Sequence, residues 1–234
     1  MTNDDDLSSV LRPALLEPDV LERLTLALAS GRLCVLRDAF IADFAESTHA
    51  ALDASEGWEL VEQYARPFMN YRHMMLFQNH FSAELHRCEA VFSSEPTKRL
   101  MCRLSGVDCL GPVDTPNVTL YRPGDYQFPH ADAGAKRSVS FVWNLSKSWQ
   151  REWGGHFFWC SPPTNLVPAF NTLLLFRVTS DSYHFVCPIS PKAEAKRLAI
   201  SGWWSGEGAL ENHPTSELWY RGPLDPIGDG VYVV

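Results

Sequence analysis

The chain has 234 residues, of which 45% are apolar and 21% are charged, a balance that fits one globular domain with a sizeable core. Its formal charge of −8 argues against nucleic-acid binding as the main function, because phosphate contacts call for a basic surface. No apolar run approaches membrane-spanning length, so we expect no membrane partner and a soluble cytoplasmic protein. The six cysteines form no CxxC pair, and we expect reduced thiols, with a zinc site or a disulfide as open alternatives.

The first half of the chain is predicted to be mainly helical. Apolar residues recur at helical spacing, with capping and stop signals, in three stretches: 17–31, 39–57 and 82–106, the last interrupted at Pro96. One segment between the second and third stretches is not predicted to be helical. The segment 64–81, "YARPFMNYRHMMLFQNHF", lacks clean periodicity and predicts a loop or an irregular strand.

After Gly111 the pattern changes to short β-rich runs separated by turn signals. These runs lie at 117–122, 138–146, 155–160, 172–178, 183–188 and 197–204, and "VYVV" predicts a final edge strand. Closely spaced short strands of this kind indicate an antiparallel sandwich or jelly roll. We therefore predict an α+β chain with helices packed against a jelly-roll core. It is one structural domain, with a mainly helical support region 1–110, the core 111–205 and a C-terminal extension 206–234.

A histidine and an aspartate two positions apart, His130 and Asp132, close the stretch "YRPGDYQFPHAD". Alternate residues of an extended segment point to the same side, so these two side chains can act together. A surface polar pair would explain the motif equally well on its own. His184, at the start of a later β run, supplies a second imidazole. Two histidines and one carboxylate are the ligand set of non-haem Fe(II) oxygenases, and they leave positions open for a co-substrate and oxygen.

The last core run, "RLAISGWW", carries a second group of polar side chains. On a strand, Arg197, Ala199, Ser201 and Trp203 share one face. A guanidinium and a hydroxyl on that face are suited to binding a carboxylate bidentately. A surface position for Arg197 is the alternative, and its apolar neighbours favour a half-buried place in a pocket.

The order of these motifs carries a resemblance to a known family. From Asn117 to Trp204 the order is Tyr-x-x-Gly-Asp, His-x-Asp, Trp…Gly-Gly, an apolar strand, His and Arg-x-Ala-Ile-Ser. This segment resembles the 2-oxoglutarate/Fe(II)-dependent dioxygenases, most closely their prolyl 4-hydroxylase-like branch. The resemblance implies a double-stranded β-helix core that uses Fe(II), 2-oxoglutarate and O2, with ascorbate as a stimulating reductant.

The resemblance also implies a reaction and a class of substrate. It implies hydroxylation of an amino acid, a peptidyl residue such as proline, or a small metabolite, with release of succinate and CO2. Asp132 favours hydroxylation over halogenation, because related halogenases carry a small residue at that position. Two other readings remain open: a non-catalytic jelly-roll binding module, and a cupin-like metalloenzyme that does not use 2-oxoglutarate. The complete ligand set argues against the first and Arg197 against the second.

Carried over residue by residue, the resemblance assigns roles to seven side chains. The iron ligands would be His130, Asp132 and His184. Arg197 would pair with the distal carboxylate of 2-oxoglutarate, and Ser201 would add a hydrogen bond. The Tyr121 hydroxyl would reach the same co-substrate, and Trp203 would form an aromatic wall of the metal pocket. Gly154 and Gly155 match the paired glycines that open a core strand. Packing within the sheet is the competing explanation for Tyr121, Ser201 and Trp203.

Five other residues are weaker candidates. Arg66, Arg72, His73 and His80 lie in the irregular segment, where a solvated loop is favoured over a substrate entrance. His156 follows the glycine pair and either lines the mouth of the site or is a hydrogen-bonded histidine of the sheet. The acidic net charge favours a cationic or neutral substrate, either a small molecule or a peptide.

Overall fold

The helices of the chain come before its jelly-roll strands. The computed structural model describes residues 5–65, 68–134, 136–207, 225–228 and 230–233. Within these ranges the helices are α1 (Leu7–Val10), α2 (Pro18–Ala29), α3 (Ala42–Ala54), α4 (Ala83–Ser93) and α5 (Glu95–Ser105). Each of the three predicted helical stretches therefore forms helix. None of the helices in the described ranges has the length and apolar character that a membrane crossing requires.

Local signals account for the ends of the two later helices. The Ser82 hydroxyl accepts a hydrogen bond from the Leu85 amide at the start of α4. Ser94 separates α4 from α5 and caps α5, with Pro96 in the first turn, where a missing N–H does no harm. Gly106 ends α5 with a φ of 71°, a conformation that glycine adopts without steric cost. The predicted interruption at Pro96 is thus a helix boundary two residues earlier.

The strands form one curled antiparallel sheet that folds back on itself. They are β1 (Cys34–Leu36), β2 (Glu59–Ala65), β3 (Phe68–Leu76), β4 (Val113–Tyr121), β5 (Tyr126–His130), β6 (Arg137–Asn144), β7 (Phe157–Cys160), β8 (Pro163–Leu166), β9 (Thr172–Arg177), β10 (His184–Val186), β11 (Arg197–Ser205), β12 (Asp225–Gly228) and β13 (Val231–Val233). Their order across the sheet is β12-β13-β1-β9-β6-β11-β4-β3-β5-β10-β7-β8, and β2 pairs with β3.

This order divides into two facing layers. The larger layer holds β9-β6-β11-β4 and the smaller holds β5-β10-β7-β8. From β4 to β11 the chain alternates between the layers, except at the β7–β8 hairpin, which stays in the smaller one. Strand β3 connects the layers, since Met74–Leu76 pair with β4 while Tyr71 and Arg72 pair with β5. Strands from outside 111–205 extend the larger layer on its other side, where β1 pairs with β9 and β13. The predicted jelly roll with N-terminal helices is confirmed.

The segment predicted as a loop or irregular strand is largely strand, and the C-terminal strand differs from the prediction. Most of the segment forms β3 (Phe68–Leu76), which pairs with β2 with one register shift, and Gln78–His80 form a 3-10 turn. Along β3 burial does not alternate, since the neighbouring residues His73 and Met74 are both buried, and the sequence accordingly lacks the usual period of two. Strand β13 lies between β1 and β12, so it is not the edge strand that "VYVV" predicts. Arg66 lies outside the described residues.

The larger layer has an apolar outer face and a more polar inner face. On the outer face Phe141, Trp143 and Trp204 pack against the aromatic side chains of the helical layer, with Phe92 stacked on Phe141 at 4.3 Å between ring centroids. The alternate residues Ser140 and Val142 of β6 face inward. The helices therefore cover one side of this layer, and its other side remains available to line a cavity.

Candidate metal centre and its cavity

Two strands of the smaller layer bring the predicted metal ligands together. His130 ends β5 and His184 begins β10, and the two residues are partners in the antiparallel pairing. Asp132 Oδ1 lies 3.3 Å from His130 Nε2, and Asp132 Oδ2 lies 3.5 Å from His184 Nε2. One ligand atom from each residue lies within 4.8 Å of the others. Adjacent ligands on an octahedral first-row metal are about 3 Å apart, so this spacing fits such an ion.

Hydrogen bonds orient both imidazoles for metal binding. His130 Nδ1 lies 2.9 Å from the Phe128 carbonyl, and His184 Nδ1 lies 2.8 Å from the Ser182 carbonyl. A carbonyl only accepts, so each Nδ1 carries the proton and each Nε2 keeps its lone pair. In metalloproteins, a hydrogen bond from the other ring nitrogen fixes a ligating histidine in the same way. The donor set therefore fits a divalent metal such as Fe(II).

The electrostatics favour the protonation states that a metal needs at His184 and Asp132, whereas without a metal Asp132 favours the protonated form of His130. Burial lowers the pKa of His184 to about 4, which keeps the ring neutral. Burial also opposes ionisation of Asp132, but its hydrogen bond with His130 and the nearby imidazoles outweigh this and lower its pKa. Burial works against protonation of His130, yet the hydrogen bond and charge of Asp132 raise its pKa. Asp132 is thus a carboxylate at neutral pH.

The backbone reaches Asp132 differently from the sequence prediction. Strand β5 ends at His130, and Asp132 adopts a φ of 58°, in the left-handed region. Aspartate enters this region more readily than most residues, although at some cost. The side chain also accepts a hydrogen bond from the Ser140 hydroxyl at 3.1 Å. A turn therefore aims Asp132 at the two histidines, in place of the expected continuous strand.

A cavity of about 650 Å³ extends from this centre between the two layers. Its volume is within the usual range of small-molecule sites. Asp132 and His184 line it, while His130 contacts the lining residues Asp132 and Gln127. The four side chains that share one face of β11 also line it: Arg197, Ala199, Ser201 and Trp203. The metal centre and the predicted carboxylate site thus open into one space.

Arg197 is a buried cation without an anionic partner among the described residues. The residue is only 1% exposed, and its Nη2 makes no hydrogen bond within the described structure. Its Nε donates to the Gly155 carbonyl at 2.6 Å, and the guanidinium lies 4.5 Å from the centre of the Tyr121 ring. A buried cation is costly unless it is paired, so a carboxylate entering the cavity would satisfy it. The site therefore fits the distal carboxylate of 2-oxoglutarate.

Gly155 makes room for this guanidinium. It has a φ of 65°, and a Cβ at this position would lie 2.3 Å from Ile189 Cδ1 and 3.0 Å from Arg197 Cδ. Any side chain here would displace Arg197 or strain the backbone. Of the two glycines that the sequence singles out, Gly155 is thus required because no side chain fits beside Arg197.

Tyr121 lies between the carboxylate site and the metal centre. It pairs with Arg197 across β4 and β11, and burial raises the pKa of its hydroxyl to about 12. The hydroxyl donates to Gln127 Oε1 at 3.2 Å, and Gln127 Nε2 lies 3.2 Å from His130 Nε2. Sequence reasoning missed Gln127, because its inward direction depends on a register shift between β5 and β10.

Trp203 and Ser201 occupy the β11 wall toward the metal centre. The Trp203 ring packs 3.6 Å beneath the Arg137 guanidinium. Its indole nitrogen is buried, makes no hydrogen bond of normal geometry among the described residues, and helps to lower the pKa of Asp132. Ser201 pairs with Asn117 of β4, and both residues line the cavity. These positions are compatible with the ligand contacts and with the wall that the resemblance implies.

The weaker candidates lie in different surroundings. The preferred prediction for His73, a solvated loop residue, is wrong: His73 is buried on β3 and lines the cavity. Arg72 points away from the cavity and lies 3.5 Å from both Glu62 and Asp125. His80 is exposed beyond β3. His156 lies 2.8 Å from the Arg151 carbonyl and is absent from the cavity wall, as expected of a hydrogen-bonded sheet histidine.

Known proteins resemble this chain both in sequence and in fold. Residues 116–205 match the family model of the 2OG-Fe(II) oxygenase superfamily. A 130-residue segment is 30% identical to a Mus musculus protein named prolyl 3-hydroxylase OGFOD1. This segment covers 52% of the present chain and 23% of the mouse protein. The chain therefore spans about a quarter of the length of that relative.

Solved structures share the fold at lower sequence identity. A Pseudomonas putida prolyl-4-hydroxylase has a TM-score of 0.63 and 20% identity, with coverage of 80% of this chain and 100% of that one. A Trichoplax adhaerens prolyl hydroxylase bound to a fragment of hypoxia inducible factor has a TM-score of 0.58 and 18% identity. That alignment covers 79% of this chain and 90% of the other. The core of the chain, residues 116–205, thus matches the 2OG-Fe(II) oxygenase superfamily, and the chain shares its fold with these prolyl hydroxylases.

Proposed function

We propose that the protein is an Fe(II)- and 2-oxoglutarate-dependent dioxygenase that hydroxylates its substrate and releases succinate and CO2. One observation carries the proposal: a His-Asp-His cluster and a buried, anion-free guanidinium face the same cavity. A metal centre alone would suit many reactions. The additional cation at Arg197 favours a co-substrate that carries a free carboxylate, as 2-oxoglutarate does.

In this proposal the chain supplies binding and orientation. His130, Asp132 and His184 would hold Fe(II), which when bound supplies the oxidative chemistry with O2. Arg197 would bind the distal carboxylate of 2-oxoglutarate and so direct its 2-oxo acid end toward the metal centre. Tyr121 would cover one face of the guanidinium, and the surrounding apolar wall would limit access of water.

A prolyl residue in a peptide is the first substrate to test. The proteins that the chain resembles are named a prolyl 3-hydroxylase, a prolyl-4-hydroxylase and a prolyl hydroxylase, and the last of these is bound to a peptide fragment. The cavity is large enough for a co-substrate together with the side chain of one residue. His130 is partly exposed, so the metal centre is accessible to a residue that projects from a polypeptide. Free amino acids and small metabolites are the second group to test.

The experiment is a measurement of metal binding and of substrate-stimulated succinate release. Purified protein is loaded with Fe(II) and supplied with 2-oxoglutarate, O2 and a panel of prolyl peptides and free amino acids. We expect one Fe(II) per chain and succinate release that depends on one class of substrate. Bound metal without turnover of 2-oxoglutarate would favour the cupin-like alternative. Absence of both metal binding and turnover would favour a binding module.

A further inference from the structure

His73 is a buried polar residue of the cavity wall without a hydrogen-bond partner at one ring nitrogen. It is 6% exposed, and its Nδ1 is buried and unpaired among the described residues. A buried polar nitrogen without a partner destabilises the folded protein, and packing alone does not explain why it is kept. Among the cavity-lining residues, Arg197 and Trp203 are the others with such an unpaired nitrogen. His73 therefore needs a partner that the cavity can hold.

The position of His73 relates it to the carboxylate site. Its ring stacks on Tyr121, with centroids 4.9 Å apart and planes at 23°. The same Tyr121 ring lies 4.5 Å from the Arg197 guanidinium. The Tyr121 hydroxyl is directed to Gln127. His73 and Arg197 thus share one aromatic neighbour whose own donor is already used within the protein.

The chemistry of His73 suits an anion next to an arginine. Burial, with the charge of Arg197 as a second cause, lowers its pKa to about 4. At neutral pH the ring is therefore uncharged and carries one N–H. Such a donor adds a hydrogen bond to a carboxylate without placing a second buried cation beside Arg197. A carboxylate has lone pairs enough to accept from both residues.

We propose that His73 is a further binding residue for the co-substrate, whose ring N–H donates to the distal carboxylate held by Arg197. The inference rests on the proposed function, since it requires a dicarboxylic 2-oxo acid in the cavity. It assigns a ligand contact to β3, the strand that connects the two layers. His73 would therefore contribute to the selection of 2-oxoglutarate over 2-oxo acids that lack the second carboxylate.

The test compares two ligands and two substitutions by calorimetry with Fe(II) under anaerobic conditions, where no turnover occurs. His73→Phe keeps a ring that can stack on Tyr121 and removes the nitrogen. His73→Asn restores a side-chain N–H. We expect His73→Phe to weaken 2-oxoglutarate binding roughly tenfold or more, and His73→Asn to recover most of the loss. Binding of 2-oxobutyrate, which lacks the distal carboxylate, should be the same in all three proteins.

Controls separate ligand contact from packing. His86→Phe changes a histidine of α4 that is half exposed and outside the cavity, and it should not affect either ligand. If His73→Phe melts below the wild type, His73→Leu and His73→Asn provide the same contrast at nearly equal size. Unchanged 2-oxoglutarate affinity in His73→Phe would overturn the inference. An equal loss for both ligands would also overturn it, because that pattern indicates packing through Tyr121.

The same experiment distinguishes this inference from the proposed function. Arg197→Met is measured beside the His73 variants. If Arg197→Met loses 2-oxoglutarate binding and His73→Phe does not, only the role of His73 fails. If the wild type does not bind 2-oxoglutarate, the proposed function fails. If Arg197→Met binds it normally, another cation holds the co-substrate, and the roles of both Arg197 and His73 fail.

Discussion

His130 and His184 are directly opposite each other in the antiparallel pairing of β5 with β10, and their ring centroids are 4.3 Å apart. A cross-strand pair of this kind brings side chains from distant parts of the chain close together without a loop between them. His184 is also enclosed by Phe157, Phe176 and Trp159, with Phe157 stacked on it at 5.0 Å. The more buried histidine thus has a rigid apolar setting that fixes its orientation.

Replacement of His184 by Ala should abolish stoichiometric Fe(II) binding and turnover. The expectation follows from its free Nε2 and from the hydrogen bond that orients the ring. The measurement is iron content after anaerobic loading and desalting, with succinate release as a second readout.

His86→Ala is the matched control, since His86 lies on the exposed side of α4 and should leave iron content unchanged. Full turnover of His184→Ala would contradict the assignment of the metal ligands.

Arg197→Met should lose affinity for 2-oxoglutarate and at the same time stabilise the ligand-free protein. Truncating one partner of a buried charged pair costs about 2–5 kcal/mol, so the dissociation constant should rise by well over tenfold. The ligand-free protein, however, holds this cation without an anion among the described residues. A methionine of similar length removes the cost of burying that charge, so the free energy of unfolding should increase by about 1 kcal/mol or more.

Thermal unfolding with and without 2-oxoglutarate measures both effects. Arg99→Met, at a largely exposed position of α5, is the control and should change neither quantity. An Arg197→Met protein that still gains stability from 2-oxoglutarate would show that another cation holds the co-substrate.

The features that sequence predicts well are those with local causes. The helix ends at Ser82 and Gly106 follow from capping, and the shared face of Arg197 and Trp203 follows from the alternation of a strand. The jelly-roll core is also accessible, because the order of the motifs resembles that of a family with this fold. The roles of the seven site residues stay predictions, although six of them line the cavity and His130 contacts its wall.

The features that sequence does not predict have causes distant along the chain. His73 is buried because β3 pairs with both β4 and β5, and no local pattern reports such a connection. Gln127 faces inward because of a register shift, and Asp132 is aimed by a left-handed backbone conformation. A period of two therefore misplaces Gln127, whereas Asp132 still reaches His130, by a backbone route that the period does not describe.

Products should gain one oxygen atom and no chlorine. Asp132 fills the carboxylate position that halogenases leave to a small residue, and its two oxygens lie beside both histidines. Mass spectrometry of products formed in chloride buffer under ¹⁸O₂ should detect one labelled oxygen. The same reaction in H₂¹⁸O with ordinary oxygen gas is the control for exchange with water. A chlorinated main product would count against hydroxylation.

Acid destabilisation should be smaller in His73→Phe than in the wild type. In the folded protein the pKa of His73 is lowered from 6.5 to about 4 by burial and by Arg197, whereas in the unfolded chain it is near 6.5. The groups packed around its ring are Tyr71 of its own strand, Tyr121 of β4 and Arg197 of β11, and none of them is an acid that would favour protonation. The unfolded state therefore binds a proton first as the pH falls.

The sign of the effect follows from this difference in proton binding. Stability that depends on neutral His73 is fully present above pH 6.5 and is lost progressively as the pH falls toward about 4. The loss attributable to this residue is at most about 3 kcal/mol. Urea unfolding of both proteins at pH 7.5, 6, 5 and about 4 measures it, and the difference in free energy of unfolding should move in favour of His73→Phe as the pH is lowered. If the free energy of unfolding falls equally with pH in the two proteins, His73 has the same pKa in the folded and the unfolded chain. That result would contradict a neutral imidazole buried against Tyr121.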